Sequence, residues 1–297
     1  MKGYRKLGLN QKVFIVIAVI IPVMSFFVFW LFPKINMLLQ AFQVLDYTTG
    51  EYVFSLKNFE NFFIALKNPE SIIVESVTNT LIAFVWKTFL KSPISLVFSY
   101  FLYKKIAGYK AFRWIFFMPS IISGVVVSGF ITSFLGVLGP LPKWIEAATG
   151  VKPMFFQDER YAWNTLLIVN LWSGFGGELL YYMSAMVRIP DEVVEAGRID
   201  GLSVFSEFFY ITVPLIWPTI STLLLLAFTG IWGSDVGSLL YTQGRAGTST
   251  LGFWIYENTI NANYNYVSAI GLFFTTISIP LIIFVRWLAK KIDTATY

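Results

Sequence analysis

Six runs of this chain, near residues 13–32, 72–103, 112–135, 162–186, 213–233 and 266–288, are apolar over the length needed to cross a hydrocarbon layer. A bilayer core of roughly 30 Å takes roughly 20 residues at helical rise. Backbone groups in lipid must be satisfied within a helix or around a closed barrel, and these runs lack the period-2 alternation of barrel strands. The expected fold is therefore all-α: a polytopic membrane protein with six transmembrane helices, its 297 residues forming a single transmembrane domain. With 56% hydrophobic and only 13% charged residues, a chain of this size cannot enclose its apolar surface in a water-soluble core. It holds no Cys and no His, which removes disulfides, thiol chemistry, and the commonest metal ligand and neutral-pH proton carrier.

Lys2, Arg5, Lys6 and Lys12 precede the first run, a flank like that of a secretory signal. The run is span-length, however, and leads into Phe32-Pro33-Lys34 rather than a small-residue cleavage site, so it is expected to stay as an anchor. Between successive spans, Lys and Arg divide unevenly. Thirteen fall on the side holding the amino terminus, the connections carrying Lys104 to Arg113 and Arg188 to Arg198, and the tail, against seven on the other side. The positive-inside bias puts both termini in the cytoplasm. It puts the segments near 33–71, 137–160 and 234–265, rich in Asn, Tyr, Trp and Gly, outside, where they suit docking of an external protein. The 22 basic against 17 acidic residues thus report orientation and not nucleic-acid binding.

One cytoplasmic connection, 188–214, is polar with an ordered spacing. Pro190 can open a helix because the first turn does not need its missing N–H, and Asp191 and Glu192 add negative charge where the helix dipole favours it. Gly201 can take the left-handed conformation that ends this helix, and Ser203 can cap a second short helix through Phe209, closed by Pro214. Glu195, Arg198, Asp200 and Glu207 would make the unit a polar knob. Helix plus charge alone fits an amphipathic loop helix on the membrane surface better than a coupling element.

The combination is more specific. Ile189-Pro190, Glu195-Ala196-Gly197, Asp200-Gly201, Phe208 and Ile211-Thr212-Val213-Pro214 resemble the EAA loop of permease subunits in binding-protein-dependent ABC importers. Gly197 stands where that family usually has Ala, which keeps the position small enough for another backbone to approach. Asn79-Thr80, Phe112-Arg113 through Pro119, Trp172, and Tyr264 to Ala269 fall in the order shown by carbohydrate importers such as the maltose and glycerol-phosphate permeases, and Thr242-Gln243-Gly244-Arg245 is a looser likeness. The resemblance implies a type I ABC importer permease fold in a prokaryotic cell membrane. It implies import of sugars, oligosaccharides among them, by alternating access. The partners it implies are a second permease subunit, forming a heterodimer, two cytoplasmic ATPase subunits and an extracytoplasmic solute-binding protein, with lipid around them and no nucleic acid. By motif match, Glu195, Ala196, Gly197, Asp200 and Gly201 are the ATPase-coupling residues. The chain is then a transport subunit and no enzyme, with no cofactor of its own; ATP and Mg belong to the ATPase partners. Consistently, the sequence holds no Gly-x4-Gly-Lys-Ser/Thr loop to cradle phosphates.

Lys87 and Lys91 lie one helical turn apart in the second span, at a depth where an ionisable group normally faces protein or water. One reading is an internal ion pair, for example Lys91 with Glu178. The sharper one is a translocation cavity that faces an acidic, uronate-containing sugar. Pro93 interrupts the helical ladder beside them, so freed carbonyls need partners. Sugar sites mix aromatic faces with amide and carboxylate groups, which makes Asn79, Trp172, Glu178, Tyr181, Tyr182, Trp232 and Asp235 the remaining pathway candidates. A permease for another small solute, or an ion-coupled secondary transporter with inverted repeats, are the rival classes, although no internal repeat is visible.

Overall fold

The apolar runs do form helices, and prolines and glycines decide where those helices bend. A computed structural model describes residues 8–46 and 48–295; the flanking charges Lys2, Arg5 and Lys6 lie outside the described residues. Helix α1 (Leu9–Phe26) continues through a π turn, Phe27–Leu31, into α2 (Phe32–Ala41). The segment from 33 to 41, expected to begin an outer loop, is therefore helical. A two-stranded antiparallel ribbon follows, β1 (Gln43–Leu45) against β2 (Tyr52–Phe54), and then α3 (Lys57–Lys67).

The second apolar run is α4 (Ile72–Val85), a π turn over Trp86–Lys91, and α5 (Ser92–Tyr103). The third is α6 (Tyr109–Ile121) and α7 (Gly124–Leu135), parted where Ile122 is extended and the Ser123 side chain accepts from the Val126 N–H. Then come α8 (Pro140–Thr149), and α9 (Glu159–Ser173) and α10 (Phe175–Met186), parted at Gly174. Beyond them lie α11 (Asp191–Ile199), α12 (Val204–Glu207) with a π turn over Phe208–Thr212, α13 (Val213–Leu215) and α14 (Trp217–Thr229). Three more helices finish the described chain: α15 (Ser238–Tyr241), α16 (Leu251–Ile260) and α17 (Tyr264–Ala295).

The three π turns share one cause. Each ends just before a proline dipeptide: Phe32-Pro33, Ser92-Pro93 and Val213-Pro214. In each, the residue before proline donates its N–H to the carbonyl five residues back, Phe27, Lys87 and Phe208 respectively. Shifting the ladder by one residue before the ring lets the helix pass a residue that has no N–H to give. At Pro93, where the sequence predicts an interrupted ladder, the interruption takes the form of a wider turn and the helix continues.

Among the described residues, four helical segments are long and apolar enough to cross a membrane: Asn10–Ala41, Ile72–Tyr103, Gly124–Thr149 and Tyr264–Ile292. A fifth counts if Val204–Leu215 and Trp217–Thr229, bent by 69°, are taken as one. The run at 162–186 is helical, but its break at Gly174 leaves halves of 15 and 12 residues.

By packing, the chain divides into two units, residues 1–64 with 258–275, and residues 65–257 with 276–297. In the first, Phe62 meets the rings of Phe273 and Phe274 at 5.0 and 5.8 Å, and the Asn58 amide donates to the carbonyls of Ala41 and Gln43. The α1 side chains from Val13 to Met24 stay exposed, which suits a helix made to meet lipid or another chain. The second unit holds every candidate site residue.

Candidate functional site

The knob on 188–214 is built by local rules. Pro190 is the extended residue before α11, Asp191 and Glu192 occupy its first turn and Arg198 its last, all with favourable dipole signs. At the far end, Gly201 is left-handed (φ +81°). Its N–H reaches the Arg198 carbonyl at 3.1 Å, and the Leu202 N–H reaches the Gly197 carbonyl at 3.0 Å. This is the paired-bond Schellman ending, which favours a residue without Cβ at the left-handed position. Ser203 then caps α12, its hydroxyl accepting from the Ser206 N–H at 3.2 Å. The second helix does not stop at Phe209: the π turn carries it past Pro214 to Leu215, and the bend falls at Ile216.

Glu195, Ala196, Asp200 and Gly201 are exposed on the knob, and Ile199 beside them is 86% exposed. Gly197 faces inward. A Cβ there would lie 2.5 Å from Ile211 Cδ1 and 3.0 Å from Leu202 Cδ1, so the space at this position is taken by the loop's own side chains rather than left for another backbone. Glu207, expected among the exposed charges, is only 4% exposed. It is ion-paired with Lys104 at the end of α5, with Arg198 Nε 3.9 Å from its other oxygen. The Tyr100 hydroxyl donates to the Val204 carbonyl at 2.9 Å, and its ring lies 5.0 Å from that of Phe208. The knob is thus fastened to the second span as well as to the helices that flank it in sequence.

Further along that span is a cavity of 320 Å³, walled by α4, the π turn, α5, α10 and α14. Lys87, Lys91, Glu178 and Tyr182 line it. Lys91 Nζ lies 3.0 Å from Glu178 Oε1, so the ion pair envisaged from sequence is present. The break between α9 and α10 makes room for it: a Cβ on Gly174 would sit 2.6 Å from Lys91 Nζ, and Glu178 stands in the first turn of α10, where the dipole favours an anion. Lys87 makes no ion pair among the described residues; its Nζ donates to the Asp235 backbone carbonyl at 2.7 Å. Tyr182 shares a 2.6 Å hydrogen bond with Ser92.

The other pathway candidates lie elsewhere. Asn79 donates to the carbonyls of Gly247 and Ser249 at 3.0 and 2.9 Å, and beside it Thr80 accepts from the Leu251 N–H at 2.8 Å, so this pair of residues holds down the 247–251 segment. Trp172 packs against a core cluster around Leu166 and Val169, and Tyr181 is exposed away from the cavity. Trp232 donates to the Ser278 hydroxyl at 2.7 Å. The Asp235 carboxylate accepts from the N–H groups of Gly237 and Ser238 and from the Thr250 hydroxyl, which caps α15. Sequence reading missed Thr88 and Ser92, although they share the helical face of the two lysines, and it missed the apolar wall of Ile220, Leu223, Leu224 and Ala227.

Comparison with known proteins gives the family and the fold. The model of the family described as "Binding-protein-dependent transport system inner membrane component" matches residues 91–295. The arabinooligosaccharides transport system permease protein AraP of Bacillus subtilis (strain 168) is 25% identical over 278 residues, 91% of this chain and 86% of AraP. The maltose/maltodextrin transport system permease protein MalF of Escherichia coli (strain K12) is 33% identical over 136 residues, 45% of this chain but only 26% of MalF. Two crystal structures of a bacterial ABC transporter for the acidic polysaccharide alginate, one of them with an alginate pentasaccharide-bound periplasmic protein, superpose with TM-scores of 0.79 and 0.80 over 95% of this chain. Their identities of 21% and 20% make that a likeness of fold. Since the family match runs from Lys91 in the cavity through the knob to Ala295, over most of the chain, the protein belongs to the inner membrane components of binding-protein-dependent transport systems.

Proposed function

We propose that this chain is one permease subunit of an ATP-driven importer of sugars, oligosaccharides in particular, working by alternating access. The observation that carries the reading is the knob: a Schellman-ended helix presenting Glu195, Ala196, Asp200 and the bare side chain of Ile199, braced from behind by the Lys104–Glu207 ion pair. Glu195, Ala196, Ile199 and Asp200 lie exposed together on one short helix and its end, and this combined surface is what the knob offers to another protein. That protein would be an ATPase subunit, carrying ATP and Mg, whose closure moves the attached helices as a body. The remaining partners are a second, different permease subunit completing the pathway and an extracytoplasmic binding protein delivering the sugar. The whole chain acts as one permease domain in the cytoplasmic membrane of a prokaryote, with both termini and the knob in the cytoplasm. The oligosaccharide assignment draws on AraP, the relative aligned along most of both chains.

The test is the assembled complex, reconstituted with its ATPase and binding protein and challenged with a panel of oligosaccharides. Sugar-stimulated ATP hydrolysis and uptake are expected for the unaltered chain. Glu195→Lys and Gly201→Val should leave the permease pair assembled and abolish uptake. If both variants keep uptake fully linked to nucleotide turnover, the knob does not couple the two and the proposal fails.

A further inference from the structure

Two lysines enter the cavity, and the structure treats them differently. Lys91 is 7% exposed and its charge is answered by Glu178 at 3.0 Å. Lys87 has no carboxylate at ion-pair distance among the described residues, and only one of its three N–H donors is engaged, on the Asp235 carbonyl. The carboxylate of Asp235 is turned to the N–H groups of Gly237 and Ser238 and to the Thr250 hydroxyl. A half-buried ammonium within a membrane-spanning helix is costly to keep without a counter-ion. Two further polar atoms in the wall are buried and lack any hydrogen-bond partner among the described residues: the hydroxyl of Thr88, a residue 8% exposed, and Glu178 Oε2. The cavity therefore presents an unanswered cation, a hydroxyl able to donate or accept, and a carboxylate oxygen able to accept. Opposite them, Leu223, Leu224 and Ala227 offer an apolar wall.

From this we infer that Lys87 receives the carboxylate of an acidic sugar unit during passage, with Thr88 and Glu178 Oε2 meeting its hydroxyl groups and the α14 wall its apolar face. A neutral sugar would leave the ammonium unanswered, whereas a uronate supplies the missing charge. The inference rests on the sugar-import reading and adds the substrate class: oligosaccharides that carry carboxylates.

The experiment measures binding and ATPase stimulation in the assembled complex. The probes are a pool of short oligouronides (mannuronate, guluronate, galacturonate and glucuronate types) and the same pool after carboxyl reduction, which keeps size and hydroxyl pattern but removes the charge. The unaltered complex should favour the acidic pool by about tenfold or more, the scale of one charge-assisted hydrogen bond. Lys87→Met should erase that preference, the acidic pool losing about tenfold more than the reduced pool, and Lys87→Arg should retain it. If K87M does not assemble, acetylation of Lys87 in the unaltered complex decides instead: slowing by the acidic pool alone supports the assignment, and equal slowing by both pools overturns it. Equal response of the unaltered complex to both pools overturns the acidic-sugar assignment and leaves sugar import standing. A complex that responds to neither pool nor to any neutral oligosaccharide overturns import of sugars as well.

Discussion

Replacing Glu178 by Gln strands the Lys91 charge, and its cost can be worked from the geometry. At the 3.0 Å between Lys91 Nζ and Glu178 Oε1, two unit charges attract by roughly 5 kcal/mol at an effective dielectric of about 20. The Lys91 side chain is 9% exposed and that of Glu178 is 24% exposed, so solvent reaches only the acid. Screening at that end reduces the coupling to roughly half, about 2–3 kcal/mol. The single substitution should cost somewhat more, about 3–5 kcal/mol, because it also leaves an ammonium buried without a counter-charge. Lys91→Met with Glu178→Leu removes both charges and should regain most of the loss. The assay is unfolding of the purified permease complex in mixed detergent and SDS micelles, followed by tryptophan fluorescence, for both singles and the double. If each single costs less than about 0.5 kcal/mol and the two simply add, the charges are not coupled and the account of the Gly174 break as room for this pair is wrong.

Gly197→Ala places a methyl 2.5 Å from Ile211 Cδ1 and should lower the stability of the complex by about 1–2 kcal/mol through overpacking. Ile211→Val removes that Cδ1, so G197A/I211V should melt at a higher temperature than G197A alone. At the brace behind the knob, Lys104→Glu or Glu207→Lys puts like charges face to face at a mostly buried site; each should reduce uptake per ATP hydrolysed in reconstituted vesicles. The exchanged pair K104E/E207K should restore much of it, and a double variant as poor as the singles would show that the ion pair carries no coupling.

Much of this was legible in the sequence because it is set locally. The apolar runs give the helices, and Pro190, Gly201 and Ser203 each act within a turn, so the start of α11, its left-handed ending and the cap of α12 follow from residue type and position. What could not be read depends on contacts between distant residues. Glu207 looks like one more surface charge until α5 brings Lys104 to it, and Gly197 looks like space for a partner until Ile211 fills it. Asn79 fits a sugar-site composition, yet its amide is spent on the 247–249 backbone, far along the chain. Pro93 announces a disturbance, but the sequence does not say whether it will be a kink, a break or a wider turn; the same device at Pro33 and Pro214 shows that the ladder can shift register and continue.

The helical run from Ile72 to Tyr103 joins the two ends of the proposed machine. Its last turns carry Tyr100, bound to Val204, and lead to Lys104, bound to Glu207, so a displacement of the knob pulls on this helix directly and not only through the chain leading to α14. Its middle carries Lys87, Thr88 and Lys91 into the cavity. On the cavity wall, toward the grip from the lysines, stand Ser92 and Pro93, where the π turn has already shifted the backbone bonds by one residue. A wider turn next to a residue that cannot donate is the least rigid point on a helix. It lies beside Lys91, whose partner Glu178 sits on α10 across its own break at Gly174. In the proposed machine, movement delivered at Lys104 would reach two adjacent irregularities that share one ion pair, and the cavity lysines would turn with it. Straightening the helix should separate the two activities: Pro93→Ala is expected to preserve assembly and ATP binding by the partner while lowering the sugar carried per ATP. Unchanged stoichiometry in that variant would mean that the lever does not bend where its hydrogen bonds say it should.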